Sequence, residues 1–185
     1  MSRPPRPDPI DGWHHVMNRG VDRQRVFFDD SDRVDFLRLL GVAHERHGIE
    51  THGYCLMGNH FHLLLRCPSG QLSEGMKGLT STYTRHVNDR VGRDGPLFRG
   101  RFRSRLILEP ADIVGVVRYI HRNPLDIVGV DRCDRYRWSS HRDYLGHRDA
   151  KSWLRTAEIL GFFNDDRGIF AAFVTGDADE QLAAA

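Results

Sequence analysis

The residues of this chain most able to do chemistry are His60 and His62, in the stretch LMGNHFHLLLR at 56–66. They flank one phenylalanine and run into three leucines, so the segment reads as a buried strand that opens with two titratable side chains. Strand side chains alternate between faces, which sends both imidazoles one way and Phe61, Leu63 and Leu65 the other. Same-face neighbours lie about 6–7 Å apart, and two rings leaning together can share a metal ion through one nitrogen each. The alternative is a pair of partly exposed histidines on a sheet. An isolated H-x-H does not choose between the two.

A third ligand has to come from elsewhere, and the helix-like segment PADIVGVVRYIHRNP offers one. Ile113, Val116, Val117 and Ile120 recur at helical spacing as a core-facing stripe. Tyr119 and Asn123 fall outside it, one turn apart, on a face shared with Asp112 and Gly115. A phenol and an amide stacked there can reach one object together; otherwise Tyr119 is half-buried and Asn123 caps the helix before Pro124. In LFRGRFRSRLI, Arg99, Arg101, Arg103 and Arg105 recur at period two. On a strand, all four guanidinium groups would share one face, where like charges repel unless an anion lies against them. Phosphates fit that requirement, and Phe98 or Phe102 could pack in the core or stack on a base. A solvated surface is the competing explanation.

The elements that must position these groups can be read in outline. GWHHVMNR alternates like a first strand; a helix follows over DDSDRVDFLRLLGVAHERHG, with N-cap candidates Asp30 and Ser31 and a stop at Gly48. IETHGYCLM and NHFHLLLR are strands interrupted by Gly53 and Gly58. A second helix runs from about Leu72 to Asn88, RGRFRSRLILE is a strand, and Pro110 opens a third helix ending at Asn123. Strand, helix, strand, strand, helix, strand, helix predicts an α+β domain: a ferredoxin-like or RRM-like antiparallel sheet with helices on one face.

The chain's 185 residues fit one domain with its own core, and 39% hydrophobic with 28% charged residues is ordinary globular composition. No apolar run approaches the roughly 20 residues of a membrane helix, and the first ten residues lack the apolar core of a signal peptide. Three cysteines, Cys55, Cys67 and Cys133, with no C-x-x-C pair, argue against a disulfide framework or a cysteine zinc site and for a reducing cytoplasm. A net charge of +2 is too mild to mark a nucleic-acid binder. The arginines between Arg85 and Arg122 nevertheless concentrate positive charge mid-chain.

Taken together, HHVMNRGVDRQRVFFDDSDRVDFL, GYCLMGNHFHLLL, GPLFRGRFRS, VVRYIHRNPL and YRWSSHRDYL resemble, in order, the single-tyrosine HUH transposases, and within them the REP-associated tyrosine transposases. The resemblance covers about residues 12–145. It implies an HUH endonuclease fold, His60 and His62 as metal ligands, Asn123 as the third ligand and Tyr119 as nucleophile. Gly58 stands where the family usually has proline, in the turn before the strand. Tyr83 is the competing nucleophile, but residue 87 is valine, so no acceptor lies four residues on. Arg19, in the first stretch, joins Arg99, Arg101, Arg103 and Arg105 as a candidate DNA contact.

The implied activity is cleavage and rejoining of single-stranded DNA at or near hairpins, with Mg²⁺ or Mn²⁺ as cofactor and a covalent 5′-phosphotyrosine link. The implied state is monomer or homodimer. The implied organisation is a flexible arm over 1–11, a catalytic domain over 12–130, a packed helical extension over 131–175 and a disordered tail over 176–185. A non-catalytic nucleic-acid-binding domain is the alternative from another class. A histidine-triad hydrolase is disfavoured because Leu64 occupies the third histidine position, and a metal hydrolase using water would form no covalent intermediate.

Overall fold

The computed structural model describes residues 7–176. Strands Gly12–Arg19 (β1), Glu50–Leu56 (β2), His60–Cys67 (β3) and Arg103–Ile107 (β4) form one antiparallel sheet in the order β2-β3-β1-β4. Helices Asp30–His47 (α1) and Leu72–Val91 (α2) connect them, and Pro110–Arg122 (α3) follows. This is the expected ferredoxin-like α+β arrangement.

α1 and α2 occupy one face, where Phe36, Leu40, Met76, Leu79 and Tyr83 pack on Val16, Phe61, Leu63 and Leu65. The expectation of helices on one face describes this pair only. α3 lies on the other face, burying Ile113, Val117 and Ile120 with Leu64, Cys55 and Ile107. Leu64 explains the difference: beyond His62 the strand is apolar on both sides, so both sides need covering.

Two boundaries differ from the sequence reading. α1 is capped by Asp29, not Asp30 or Ser31, in a reciprocal capping box with Asp32; Asp32, itself buried, accepts from Nε and Nη2 of Arg90, whose Nη1 donates to Asp29. β4 starts at Arg103, so Arg99 and Arg101 precede it. The chain touches the end of β1 through an isolated bridge from Phe98 to Gly20 and then turns at Gly100, whose φ of 152° lies where other residues rarely go.

After α3 the chain forms short helices, His141–Tyr144 (α4), Ala157–Gly161 (α5) and Arg167–Thr175 (α6), the last buried through Phe170 and Val174. On the way, bridges from Cys55 to Ser139 and from Thr51 to Leu154 cover the open edge of β2. Of the expected N-terminal arm, residues 1–6 lie outside the described residues. Asp8 to Gly12 fold back on the domain: the Gly12 amide donates to Pro9 O, and the Ser73 amide to Asp8 Oδ2. The expected tail lies outside them too from residue 177.

Candidate active site

Strand register brings together residues that are far apart in sequence. On the face away from α1 and α2, His60 pairs with Arg19, His62 with Met17 on one side and Cys55 on the other, and His15 with Leu64 and Arg105. His60 and His62 rings stand 5.1 Å apart and nearly perpendicular. α3 crosses this face with its apolar stripe down, leaving Tyr119 at the edge, 53% exposed. Its ring centre is 5.4 Å from that of His62 and 5.6 Å from that of His15, edge-on to both.

Asn123 closes the arrangement. It is buried at the start of a 3-10 turn after α3, where its Nδ2 donates 2.8 Å to Tyr119 O. That fixes the amide's orientation and turns Oδ1 away from the Tyr119 carbonyl, where it is free to act as a donor atom. Two imidazoles and an amide oxygen are thus gathered beside one phenol. They open into a cavity of about 780 Å³ that also exposes Arg19, Arg99, Arg101 and Arg103. Arg105 instead lines an adjoining cavity of about 420 Å³ on the far side of Tyr119, with His15, Asp112 and Gly115. The four arginines therefore do not form one strand row, yet all border Tyr119's surroundings.

Burial holds the site histidines neutral. It pushes His62 down to about 3, with neighbouring His15, His60 and Arg19 adding to the effect. It likewise takes His15 to about 4, helped by Arg105, and lowers His60, where Arg19 adds and Asn123 and Asp126 oppose. Neutral imidazole is the form that can ligate a metal.

Two residues that sequence reasoning missed set which nitrogen is available. Asn59 donates from Nδ2 to Arg23 O at 3.1 Å, so its Oδ1, 2.6 Å from His60 Nδ1, must accept a proton from that ring. In neutral His60 the lone pair is then on Nε2. His15 Nε2 lies 2.9 Å from His62 Nδ1 and can do the same for His62 by accepting from it. His15 sits on a different strand, and only the β1–β3 register reveals it; the double histidine in GWHHVMNR was the available signal. Asn59 immediately precedes His60 and carried no periodic signal. Two imidazole nitrogens and an amide oxygen make a neutral, borderline donor set that can take a divalent cation and leave coordination positions for phosphate and water.

The rim at Arg23 and Arg25 was also missed. It is built by the 3-10 turn Val21–Arg23, where Asp22 and Arg23 have φ of 49° and 60°. Gly20 is required there because a Cβ would fall 2.2 Å from Gln24 O. Gly58, by contrast, has open space where a Cβ would be, and its carbonyl accepts from Val26 and Phe27 amides. Tyr83 is fully buried and donates 2.6 Å to Val26 O; burial drives its phenol far above the usual range. It is a packing residue, out of reach of any substrate.

With this geometry in hand, a family described as IS200-like transposase matches residues 11–123, which includes every residue named above as a candidate ligand, nucleophile or arginine contact. Among solved structures, a REP-associated tyrosine transposase bound to a REP hairpin superposes with a TM-score of 0.66 at 18% identity, covering 84% of this chain and 92% of that one. A transposase of Deinococcus radiodurans aligns with a TM-score of 0.44 at 17% identity, over 66% of this chain and 97% of that one. No curated protein matches the chain. No helix among the described residues is long and apolar enough to cross a membrane.

Proposed function

The chain belongs to the IS200-like transposase family, and we propose that it is a metal-dependent single-strand DNA endonuclease and strand transferase that cuts at or near hairpins through Tyr119. The observation that carries this reading is the placement of the exposed Tyr119 phenol beside two neutral, adjacent imidazoles and Asn123 in an arginine-lined cavity.

His60, His62 and Asn123 would hold Mg²⁺ or Mn²⁺, which when bound would neutralise charge developing on the phosphoryl oxygens. Tyr119 is the nucleophile. As its Oη–P bond forms, the bond from phosphorus to the 3′ oxygen breaks and the phenolic proton ends on that oxygen. The products are a 5′-phosphotyrosine link and a free 3′-hydroxyl, and the retained bond energy lets another 3′-hydroxyl reverse the step without ATP. Arg19, Arg99, Arg101 and Arg103 hold the strand's phosphates in the main cavity, and Arg105 holds the continuation beyond Tyr119.

The Tyr119 and histidine contacts lie within one chain, which supports a monomer able to cleave, with a homodimer not needed to complete the site. We assign catalysis to residues 12–130 and support of α3 to the extension at 131–175. The REP-associated relative was captured on a REP hairpin; a palindromic hairpin with single-stranded flanks is the substrate proposed here, met in the cytoplasm at the nucleoid. The test is incubation with labelled hairpin DNA and Mn²⁺, followed by denaturing electrophoresis. A covalent adduct formed by wild type and Tyr83→Phe but not by Tyr119→Phe is expected. Tight binding with no adduct under any divalent metal would instead identify a non-catalytic binding module.

A further inference from the structure

On the opposite face of the sheet, at the far end of β3 from His60, three more potential ligands converge. His14 Nε2, Asp8 Oδ1 and Cys67 Sγ all lie within 4.8 Å of one another. The two ends of β3 are separated by about 23 Å at the usual strand rise. His14 is completely buried, and its Nδ1 is engaged by Ser104 Oγ at 3.1 Å. Its Nε2 has no hydrogen-bond partner among the described residues, and neither does Asp8 Oδ1, 3.9 Å away. Two buried polar atoms facing each other without partners cost roughly 1–3 kcal/mol each unless something lies between them.

We propose that Asp8, His14 and Cys67 form a zinc site that fastens the N-terminal segment to β1 and β3. One imidazole nitrogen, one carboxylate oxygen and one sulfur make a borderline donor set that suits Zn²⁺, with a fourth tetrahedral position left for water. Zn–N and Zn–O bonds of about 2.1 Å place tetrahedral ligands about 3.4 Å apart, so the observed 3.9 Å between His14 and Asp8 closes with a shift of a few tenths of an ångström.

The approach of Asp8 is built by the backbone. The Pro9–Gly12 hydrogen bond turns the chain back, with Asp11 at φ 60°, and the Ser73 amide holds Asp8 Oδ2 so that Oδ1 is the oxygen presented to His14. Gly12 and Gly70 permit this approach: a Cβ on the first would sit 2.7 Å from His14 Nε2, and on the second 2.9 Å from Asp8 O. Without metal, burial and the Asp8 carboxylate push the Cys67 thiol up to about 12, so metal binding has to displace its proton to solvent.

A second cluster, Glu50, His52 and Glu158, is a poorer candidate. The Arg66 guanidinium already lies 3.5 Å from Glu50 and 3.2 Å from Glu158 and supplies the positive charge there.

The test uses the full chain carrying His60→Ala and His62→Ala, which removes the other histidine pair and separates this proposal from the reading of the active site. Titrated with Co²⁺, this protein is expected to bind one equivalent and show a sulfur-to-cobalt charge-transfer band in the near ultraviolet. Cys67→Ser should abolish the band, Cys55→Ser should leave it intact, and Asp8→Asn should weaken binding by more than the ~10–100-fold typical of losing an outer-shell partner. Asp8 sits at the surface end of the segment, so its replacement keeps the test open if Cys67→Ser fails to fold. No band in the parent would mean that water bridges the pair and would overturn the proposal. So would a band that survives Cys67→Ser or depends on Cys55.

Discussion

Acidification should destabilise this protein through two histidines outside both candidate metal sites. His121 and His141 are buried together between α3 and α4, with their Nδ1 atoms 3.3 Å apart and His121 Nε2 at 2.8 Å from Ser140 Oγ. Burial holds His121 well below the usual range, with His141 adding, and takes His141 to about 4 against the partial opposition of Asp134. His147 lowers His141 further, and the Tyr144 phenol against His121, pushed well above its usual range by burial, does not titrate in the acid range. Unfolded, each has a pKa near 6.5.

Between that value and the folded one, the unfolded chain binds more protons, so stability rises with pH and falls as pH drops from about 6.5 toward 4. At pH 5 each group contributes a loss of about 2 kcal/mol relative to pH 7, or about 4 for the pair, set against a typical total of 5–15 kcal/mol. Urea unfolding at pH 7 and pH 5 measures the loss. The double substitution His121→Phe/His141→Phe keeps ring volume close to native, and Ser140 Oγ still accepts the Tyr54 amide at 2.9 Å. Whatever it does to stability at pH 7, it should shrink the pH 7 to pH 5 difference by about 4 kcal/mol. An unchanged difference would show that these rings are protonated or solvated in the folded state, and the argument would fail.

Other perturbations separate roles within the site. Asn59→Ala frees His60 to adopt either tautomer and should weaken metal-dependent cleavage by roughly 10–100-fold with DNA binding retained, read from Mn²⁺ titrations of cleavage rate. Tyr83→Phe removes the hydrogen bond to Val26 O and should cost about 1–3 kcal/mol in urea unfolding while leaving adduct formation intact. Single Ala replacements of Arg99, Arg101 and Arg103 should each make the salt dependence of single-stranded DNA affinity shallower by about 0.7, and slopes equal to wild type would return them to solvated surface.

The elements themselves were legible because each carries its own punctuation: β1 matched GWHHVMNR residue for residue, and Gly48 and Pro110 marked helix ends as expected. The arginine strand was not, because period two also fits an irregular segment, and only the turn at Gly100 and the end of β1 decide where pairing begins. The grouping of His60, His62, Tyr119 and Asn123 was expected from the family resemblance, with spacing alone leaving each open, since each sits in a short local pattern. His15 was hidden in the neighbouring strand, and Asn59 had no pattern at all. Local sequence records which face a side chain takes; it does not record which residue of another strand it will meet.

That distinction bears on why the proposed nucleophile is carried by α3 and not by a loop. The sheet alone presents imidazoles and arginines, but Tyr119 reaches them only if α3 is held at a fixed rotation across β2 and β3. Its own stripe of Ile113, Val117 and Ile120 grips the sheet on one side. On the other, His121 packs edge-on against Tyr144 and Phe170, and Arg122 donates to the carbonyls of Val174 and Thr175 at the end of α6. Tyr119 therefore adjoins Ile120 of the inner anchor, and Asn123 adjoins Arg122 of the outer one. Loosening the outer anchor, by acid at His121 or by removing the Arg122 side chain, should reduce adduct formation before the fold is lost. In Arg122→Ala, cleavage measured under conditions where circular dichroism still reports native helix content should fall while hairpin affinity holds. Equal losses of affinity and cleavage would show that the C-terminal helices support the whole domain and not the angle of α3.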